Sequence, residues 1–393
     1  MAPSNEPTPD GFLSVEEGQT RVLVPAENDA KIPTASVSVF YNPEMEMNRD
    51  INVAVTSVFV RRLAERKGFE KSNIRYLDAF SASGIRGLRI ANEVGISVVL
   101  NDIKPEAVEL IQKNIFEIGL QNAVAVCEDA NVLLCREKFA IVDIDPFGTP
   151  SPFLDAAAMS ATFLLGVTAT DTAPLCGAHL KSGIRKYAAV PLNNEFHSEM
   201  GLRILLGSIA RETAKFDKGI LPLLSHATRH YVRVYAEILH GAGRADQTLQ
   251  NIGFLAWCPA CQNRETKTGL AVFMNEKCVC GSNRKIAGPL WLGPLRDELF
   301  CADVIDELDN GRLTLNKKEP ARKLVEACKN EADIPFFYDE HLFCEELKIS
   351  APPIEPFLER LRDAGYVATR THFSGTSFKT DAPVDEIKRK LLE

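Results

Sequence analysis

The fold is decided by residues 74–102, IRYLDAFSASGIRGLRIANEVGISVVLND. Its first part, IRYLDAF (74–80), is apolar and predicts a buried strand. The stretch SGIRGLRIANEVG (83–95) predicts a helix, and SVVLND (97–102) predicts a second strand. A strand, a helix and a further strand in about thirty residues indicate a βαβ unit, in which the two strands run parallel.

The same alternation continues along the chain to residue 171. Further helices are predicted at 48–67, 105–119 and 151–163, and further strands at 123–129, 139–145 and 164–171. The stretches LPLLSH (221–226) and HYVRVYAEI (230–238) alternate with period two, which predicts an antiparallel pair at the sheet edge. Together these segments predict an α/β fold with a doubly wound, Rossmann-like parallel sheet covered by helices on both faces.

Acidic residues follow the first three predicted strands, where doubly wound sheets bind ligands. Asp78 precedes a small-residue loop without the G-x-G-x-x-G spacing, which disfavours NAD. Asp102 can accept hydrogen bonds from ribose hydroxyls, and Asp129 followed by the small Ala130 can accommodate an adenine. Each feature alone is also typical of a tight turn or a helix cap. Together they predict S-adenosylmethionine as cofactor and a class I methyltransferase sheet.

The fourth strand ends in IVDIDPFG (141–148). Asp145 can accept hydrogen bonds from an exocyclic amine and take up its proton, which helps a poorly nucleophilic nitrogen to attack a methyl donor. Pro146 has no competing N–H, and Phe147 offers a face on which a base can stack. The base must leave its own stack to enter such a pocket. The alternative is that Asp145 caps the helix predicted after it.

Composition limits the possible classes of protein. A chain of 393 residues, 45% hydrophobic and 25% charged, is typical of a globular protein with two domains. It has no apolar run of about 18 residues, and its first residues lack a signal-peptide pattern, so we expect no membrane span and a cytoplasmic location. The net charge of −8 mildly disfavours a nucleic-acid partner, although a basic face can be local.

Four of the ten cysteines form two close pairs, Cys258 with Cys261 and Cys278 with Cys280. This spacing predicts one tetrahedral structural zinc site, and the alternative is four reduced thiols without metal. The other six cysteines are predicted to be small buried hydrophobic residues: Cys127, Cys135, Cys176, Cys301, Cys328 and Cys344.

The C-terminal part becomes helical and charged from about residue 317. Two predicted helices (339–349 and 352–366) and a β-ribbon (367–380) have the order of a winged-helix module. We therefore predict an N-terminal extension (1–34), a methyltransferase domain (35–245) and a smaller α+β C-terminal domain (246–393). The last contains a zinc ribbon-like insert (252–290) and the winged-helix-like module (335–383).

Six segments together closely resemble the tRNA (guanine-N2-)-dimethyltransferase family, in its archaeal form, which dimethylates guanine 26 of tRNA. They are VFYNPEMEMNRD (39–50), LDAFSASGIRGLR (77–89), DIDPFGTPSPFLDAA (143–157), GVTATDTAPLCG (166–177), GPLWLGPL (288–295) and GYVATRTHFSGTSFKTDAP (365–383). The resemblance covers nearly the whole chain. It implies tRNA as substrate and no obligate protein partner.

The resemblance also implies roles for individual residues. Residues matching the family's cofactor contacts are Arg49, Arg86, Asp102, Asp129 and Ala130. Asp145 matches the catalytic acid, and Phe147 and Phe40 match the aromatic residues that hold the target guanine. The roles of Phe40 and Arg49 come from the resemblance alone. Without the resemblance, Phe40 is typical of a core aromatic residue, and Arg49 is typical of a helix-capping pair with Asp50.

The tRNA-binding face must be a local basic surface. Its candidates are Lys181, Arg185, Lys186, His226, Arg229, His230, Arg233, Arg370, His372 and Lys379, each of which is also typical of an ordinary charged surface. Other functions remain open on the residues alone: an amino-methyltransferase for adenine or a protein amide, a tRNA-binding protein with a vestigial cofactor site, or an NAD enzyme.

Overall fold

The computed structural model describes residues 11–26, 39–310 and 313–393. Of the predicted N-terminal extension (1–34), residues 1–10 and 27–34 lie outside this description. The described part of the extension is an antiparallel hairpin of β1 (Phe12–Glu17) and β2 (Thr20–Pro25).

Strands and helices alternate between residues 46 and 169, as the sequence predicts. In chain order they are α1 (Glu46–Lys67), β3 (Arg75–Asp78), α2 (Ile85–Arg89), β4 (Ser97–Asp102), α3 (Pro105–Ile118), β5 (Ala123–Cys127), α4 (Ala130–Arg136), β6 (Phe139–Ile144), α5 (Leu154–Ser160) and β7 (Ala161–Ala169). Helix α4 was not predicted, and β7 begins three residues before the predicted strand. The predicted helix 151–163 is therefore shorter, because its last three residues belong to a strand.

These strands belong to a seven-stranded mixed sheet within the described residues, in the order β5-β4-β3-β6-β7-β9-β8. The pairs β3–β4, β4–β5, β3–β6 and β6–β7 are parallel. The chain moves from β3 to one side through β4 and β5, then returns to the other side of β3 with β6. This reversal is the topological switch point of an α/β sheet, and it confirms the Rossmann-like part of the predicted fold class.

The loop between β3 and α2 depends on two glycines. Gly84 precedes the first residue of α2 with φ +82°, a left-handed conformation that favours glycine. A Cβ on Gly87 would lie 2.8 Å from Cδ2 of Leu100 on β4, so the helix packs closely against the sheet only because this side chain is absent. After Arg89 the helix continues as a π-helical turn, Ile90–Val94.

The rest of the chain combines helices with short sheets. Its elements are α6 (Thr172–Leu175), α7 (Leu180–Tyr187), α8 (His197–Ala214), β8 (Lys218–Thr228), β9 (Tyr231–His240), α9 (Ala242–Leu249), β10 (Ile252–Trp257), β11 (Arg264–Thr268), β12 (Lys285–Trp291), α10 (Glu298–Asp309), α11 (Lys318–Asn330), β13 (Tyr338–Asp339), α12 (Glu340–Leu347), α13 (Ile354–Asp363), β14 (Ala368–Arg370), β15 (Ser377–Thr380) and α14 (Val384–Leu392). The predicted antiparallel pair is confirmed as β8 and β9.

Two compact units make up the chain. The first comprises the described residues within Met1–Pro146, Met159–Val167 and Leu299–Glu326. The second comprises Phe147–Ala158, Thr168–Glu298 and the described residues within Ala327–Glu393.

The C-terminal elements of the second unit follow the predicted order of helix, helix and β-ribbon. Helices α12 and α13 precede the ribbon β14–β15, and β13 adds a third strand in the order β13-β15-β14. Phe343, Phe357 and Phe378 are fully buried in the core of this module. In the part of the chain that the structure describes, no helix is both long and apolar enough to cross a membrane.

Candidate active site

The strand register brings the predicted acidic tips to one edge of the sheet. Asp78 on β3 lies beside Leu100 on β4 and beside Asp143 on β6. Asp102 and Asp145 therefore each lie two residues beyond this level at the carboxyl ends of the neighbouring strands. The fold thus places three of the four predicted acids around the switch point, where ligands bind in such sheets.

Asp102 holds the loop that follows β3. Its Oδ2 accepts a hydrogen bond from the Ala82 N–H at 2.9 Å, and its Oδ1 accepts one from the Lys104 N–H at 3.0 Å. Ala82 has φ +47°, so the loop is held in a left-handed conformation that alanine rarely adopts. Each carboxylate oxygen has a second lone pair, so Asp102 can still accept hydrogen bonds from a ligand's hydroxyls.

Asp78 is buried beneath the same loop. Its Oδ2 accepts a hydrogen bond from the Gly87 N–H at 3.1 Å, whereas its Oδ1 has no hydrogen-bond partner among the described residues. Burial raises the pKa of Asp78 to about 7; nearby Arg86 opposes this rise, and the carboxylates of Asp143 and Asp145 add to it. A buried polar atom without a partner marks a place where a ligand can bind.

Arg86 connects the first and fourth strand tips. Its Nη2 donates hydrogen bonds to Oδ2 of Asp145 and, at 2.9 Å, to Oδ1 of Asn48, and its Nη1 lies 4.0 Å from Oδ2 of Asp143. In the described part of the chain Arg86 is the one hydrogen-bond partner of Asp145, so Oδ1 of Asp145 is available to accept from a substrate. The residue expected to contact cofactor thus also orients the predicted catalytic acid.

The loop after β6 differs from the helix-cap alternative. The helical turn Ser151–Phe153 has Pro150 as its N-cap residue and no capping side chain, so Asp145 does not cap it. Phe147 is 60% exposed, as expected for a side chain that stacks on a base. Gly148 fixes the loop to the chain after β7, because its N–H donates to Oγ1 of Thr170 at 2.8 Å.

The third tip forms a helix cap. Oδ1 of Asp129 accepts hydrogen bonds from the backbone N–H groups of Asn131 at 2.8 Å and Val132 at 3.3 Å, at the start of α4. Ala130 is buried. The side chain of Asn101 on β4 donates to the Glu128 carbonyl at 3.1 Å, so the second and third tips are joined. The cap leaves Oδ2 of Asp129 without a partner in the described chain.

Arg49 lies at the centre of an ion-pair network that the sequence does not reveal. It is buried, and its Nε and Nη2 donate to the two carboxylate oxygens of Glu17 on β1 at 2.7 and 2.5 Å. The expected alternative, a pair between Arg49 and Asp50, is wrong, since Asp50 instead accepts from Arg89 at 2.6 Å. Glu17 is 32 residues from Arg49, and no local pattern in the sequence indicates the contact.

Phe40 is half-buried in the segment that leads to α1. The next residue, Tyr41, donates a hydrogen bond to Oε1 of Glu17 at 2.8 Å. Phe40 is therefore only one residue from the network that holds Arg49.

The four paired cysteines come together in the second unit. Cys258 follows β10, and Cys278 and Cys280 precede β12, while the sheet order is β11-β10-β12. The sulfur of Cys258 lies 3.6 Å from that of Cys280, the sulfur of Cys261 lies 3.5 Å from that of Cys278, and all four lie within 4.8 Å of one another. Four thiolates around a zinc ion have sulfur–sulfur distances of about 3.8 Å, so these residues fit that ion.

The scattered cysteines divide into two groups. Cys301, Cys328 and Cys344 are buried, as predicted. The prediction is wrong for Cys127 and Cys135, which are exposed, and Cys176 is intermediate. Cys127 lies on the solvent-facing side of β5, and Cys135 lies on the solvent-facing side of α4. Because cysteine counts as apolar in a sequence pattern, the pattern did not indicate that these two positions are exposed.

Several basic residues considered for the tRNA face are buried instead. Lys379 lies 3.2 Å from Glu199 and 3.3 Å from Glu331, and His372 forms an ion pair with Glu331. His226 is fully buried, and so is Arg233, which donates to Oγ1 of Thr168 at 2.8 Å. A buried charge needs a partner within the protein, so these four do not form the surface. Five candidates are exposed: Lys181, Arg185, Arg229, His230 and Arg370.

Comparisons with known proteins find relatives that match nearly the whole chain. A family model described as "TRM: N2,N2-dimethylguanosine tRNA methyltransferase" matches residues 18–392. A curated protein from Methanosarcina mazei named tRNA (guanine(26)-N(2))-dimethyltransferase is 59% identical over 382 residues, which are 96% of this chain and 98% of that protein. One of the same name from Methanospirillum hungatei is 44% identical, over 95% and 97% of the two chains.

A solved structure is similar over the same length. It is described as "Complex structure of Trm1 from Pyrococcus horikoshii with S-adenosyl-L-Methionine" and matches with a TM-score of 0.84 at 38% sequence identity. The match covers 96% of this chain and 99% of that chain.

Proposed function

This chain belongs to the N2,N2-dimethylguanosine tRNA methyltransferase family, and we propose that the carboxylate of Asp145 performs its acid–base chemistry. The protein transfers methyl groups from S-adenosylmethionine to the exocyclic N2 of guanine 26 in tRNA, giving N2,N2-dimethylguanosine. The observation that carries the proposal is the hydrogen bond from Arg86 to Oδ2 of Asp145, which leaves Oδ1 free to accept an N–H of the guanine amine.

The residues around β3 fit S-adenosylmethionine. Oδ1 of Asp78 is buried without a partner, and Asp102 keeps acceptor capacity for two ribose hydroxyls. Asp129 and the buried Ala130 would hold the adenine, and Arg86 and Arg49 would contact the charged amino-acid end. When bound, the cofactor supplies a methyl group activated on a sulfonium.

Asp145 acts on the substrate nitrogen. The lone pair of the guanine amine is delocalised into the ring, which makes it a poor nucleophile. A hydrogen bond from the amine to Oδ1 of Asp145 shifts electron density back to the nitrogen and orients it, and the carboxylate accepts the proton lost on methyl transfer. Two transfers require this proton uptake twice, so Asp145 must pass its proton to solvent between them.

We also propose that Phe147 and Phe40 hold the guanine after it leaves the tRNA stack. Phe147 is 60% exposed and follows Asp145 by two residues, so a base can reach its side chain. The resemblance to the family gives Phe40 the same role. Stacking on an aromatic ring restricts the position of a base, which helps to align its amine with the methyl donor.

The second unit carries the proposed structural and tRNA-binding roles. Cys258, Cys261, Cys278 and Cys280 would bind one structural zinc ion in a ribbon-like insert (252–290), since all four positions would be filled by protein. The C-terminal domain (246–393), with its winged-helix-like module (335–383), would grip tRNA through phosphates and shape. The methyltransferase domain would be 35–245, and tRNA as substrate implies a cytoplasmic location.

A nucleoside digest tests the proposed function directly. The protein is incubated with S-adenosylmethionine and an unmodified tRNA transcript carrying guanine at position 26, and the products are separated by mass spectrometry. N2,N2-dimethylguanosine is expected, and it should disappear with a transcript in which position 26 is adenine. Methyladenosine, or dimethylguanosine that persists in the altered transcript, would contradict the assignment.

A further inference from the structure

Asn48 is a buried polar residue whose role the sequence does not indicate. It lies in the first turn of α1, it is fully buried, and its Oδ1 accepts a hydrogen bond from Nη2 of Arg86 at 2.9 Å. The same Nη2 donates to Oδ2 of Asp145. One guanidinium nitrogen therefore links Asn48 to the carboxylate proposed for the acid–base chemistry, and all three residues belong to the first unit.

The contact with Arg86 fixes which way the amide of Asn48 faces. A guanidinium has only donors, so the amide must direct its oxygen to Arg86 and its nitrogen elsewhere. Nδ2 of Asn48 is buried and has no hydrogen-bond partner among the described residues. Burying an amide with an unused donor costs stability, so stability alone does not account for an asparagine at this position.

Arg86 has a second carboxylate nearby that can attract it. Its Nη1 lies 4.0 Å from Oδ2 of Asp143, which precedes Asp145 by two residues. This oxygen also accepts a hydrogen bond from the Tyr76 hydroxyl at 2.9 Å. Because Asn48 and Asp145 bond the same guanidinium nitrogen, the bond to Asn48 stabilises the arrangement in which Arg86 holds Asp145 and not Asp143.

An asparagine suits this task because its side chain is neutral. An amide oxygen orients a guanidinium without supplying a counter-charge, so the charge of Arg86 remains available to Asp145. A carboxylate at position 48 would bond the guanidinium more strongly and compete with Asp145 for it. Helix α1 has 22 residues, so it provides a rigid element from which Asn48 can position a neighbour.

We propose that Asn48 is a positioning residue for methyl transfer. It acts through Arg86, which it keeps on Oδ2 of Asp145, and this leaves Oδ1 of Asp145 to accept from the guanine amine. Helix α1 thereby takes part in orienting the acid at the tip of β6. This inference rests on the proposed function, since it assumes that Asp145 performs the acid–base chemistry.

The variant Asn48→Leu removes the acceptor and keeps the approximate shape of the side chain. We expect kcat for dimethylguanosine formation to fall about ten- to a hundredfold, because a misplaced catalytic group loses rate steeply. KM for tRNA and the affinity for S-adenosylmethionine by calorimetry should stay within about threefold, since the loss falls on the chemical step.

Thr56→Val is the matched control for the loss of a buried polar group from α1. Thr56 lies eight residues after Asn48 on the same helix, is buried, and has a side-chain oxygen without a hydrogen-bond partner in the described chain. This variant should keep the wild-type kcat. Equal losses of kcat in Asn48→Leu and Thr56→Val would show a general effect on the helix and overturn the inference.

A double-mutant cycle tests whether Asn48 acts through Asp145. The acid–base role is already lost in Asp145→Asn, so adding Asn48→Leu to that protein should lower kcat much less than it does in the wild type. A wild-type kcat for Asn48→Leu, or two losses that multiply in full, would overturn the inference. If Asn48→Leu does not fold, Asn48→Ala also removes the acceptor and replaces it in the cycle.

Failure of the proposed function has a different signature. A wild-type protein that forms no dimethylguanosine, or near-normal turnover of Asp145→Asn, would overturn the proposed function and this inference with it. If wild type is active and Asp145→Asn is not, the results for Asn48→Leu bear on the positioning role alone.

Discussion

Arg86 donates a hydrogen bond to Oδ2 of Asp145 although 59 residues separate them in the chain. The same Nη2 bonds Oδ1 of Asn48 on α1 at 2.9 Å, and Nη1 lies 4.0 Å from Asp143. One guanidinium at the first turn of α2 therefore joins three elements of the first unit. Arg86 holds the carboxylate of Asp145 through one oxygen only. A general base needs its other oxygen to accept the substrate proton, and this arrangement provides it.

Asp145→Asn should abolish most methyl transfer without loss of cofactor binding. The amide keeps an oxygen that accepts from Arg86, but it cannot take up the amine proton. We expect kcat to fall by about 10²- to 10⁴-fold, measured by single-turnover formation of N2,N2-dimethylguanosine, while the affinity for S-adenosylmethionine by calorimetry stays within a few-fold. Asp155→Asn, on an exposed carboxylate, is the control and should be fully active. Near-normal turnover of Asp145→Asn would remove Asp145 from the chemistry.

Phe147→Ala should weaken the use of tRNA and leave the fold intact. A base stacked on an aromatic ring contributes about 1–3 kcal/mol, so kcat/KM for tRNA should fall roughly 5- to 150-fold. The melting temperature should change little, because Phe147 is 60% exposed. Phe116→Ala, at an 83% exposed ring on α3, provides the comparison. If both variants lose activity equally, the effect is not one of base stacking at the strand tip.

Asp78 should make the protein less stable as the pH rises. Its folded-state pKa of about 7 lies above its ordinary value of 3.8, because burial penalises the carboxylate. Between these values the folded state binds more protons than the unfolded state, so the free energy of unfolding falls as pH rises through this window. From pH 5 to 8 the loss relative to Asp78→Asn should be on the order of 3 kcal/mol. Urea unfolding of both proteins without cofactor measures it, and parallel pH profiles would exclude Asp78 as the cause.

Removing the metal from the paired cysteines should lower stability before it affects the cofactor site. Purified protein should contain one zinc per chain by elemental analysis, and Cys280→Ala should lose it and melt about 5–10 °C lower. The affinity for S-adenosylmethionine should be unchanged, since its site lies at the carboxyl ends of β3 to β6. Cys135→Ala, at an exposed cysteine outside the cluster, should behave as wild type. Absence of zinc from the wild-type protein would contradict the proposal.

The sequence by itself determined the order of the strands and helices in the sheet and which acidic residues lie at its carboxyl edge. Period-two and helical patterns in 74–102 and the segments after it are local properties, so they predicted the order of strands and helices closely. An acid directly after a strand must lie at the carboxyl end of the sheet, which is why Asp78, Asp102 and Asp145 could be named in advance. The spacing of Cys258, Cys261, Cys278 and Cys280 likewise predicted that their sulfurs would meet.

Only the tertiary structure decided which charges are buried and with whom. Glu17 bonds Arg49, Glu331 pairs with His372, and Lys379 lies in the protein interior, although all are charged residues typical of a surface. Ion pairs of this kind join residues 32 or more positions apart, and no local pattern encodes them. Whether a side chain is buried depends on which residues far away in the sequence pack against it. Whether a segment forms a strand depends mainly on the pattern of its own residues.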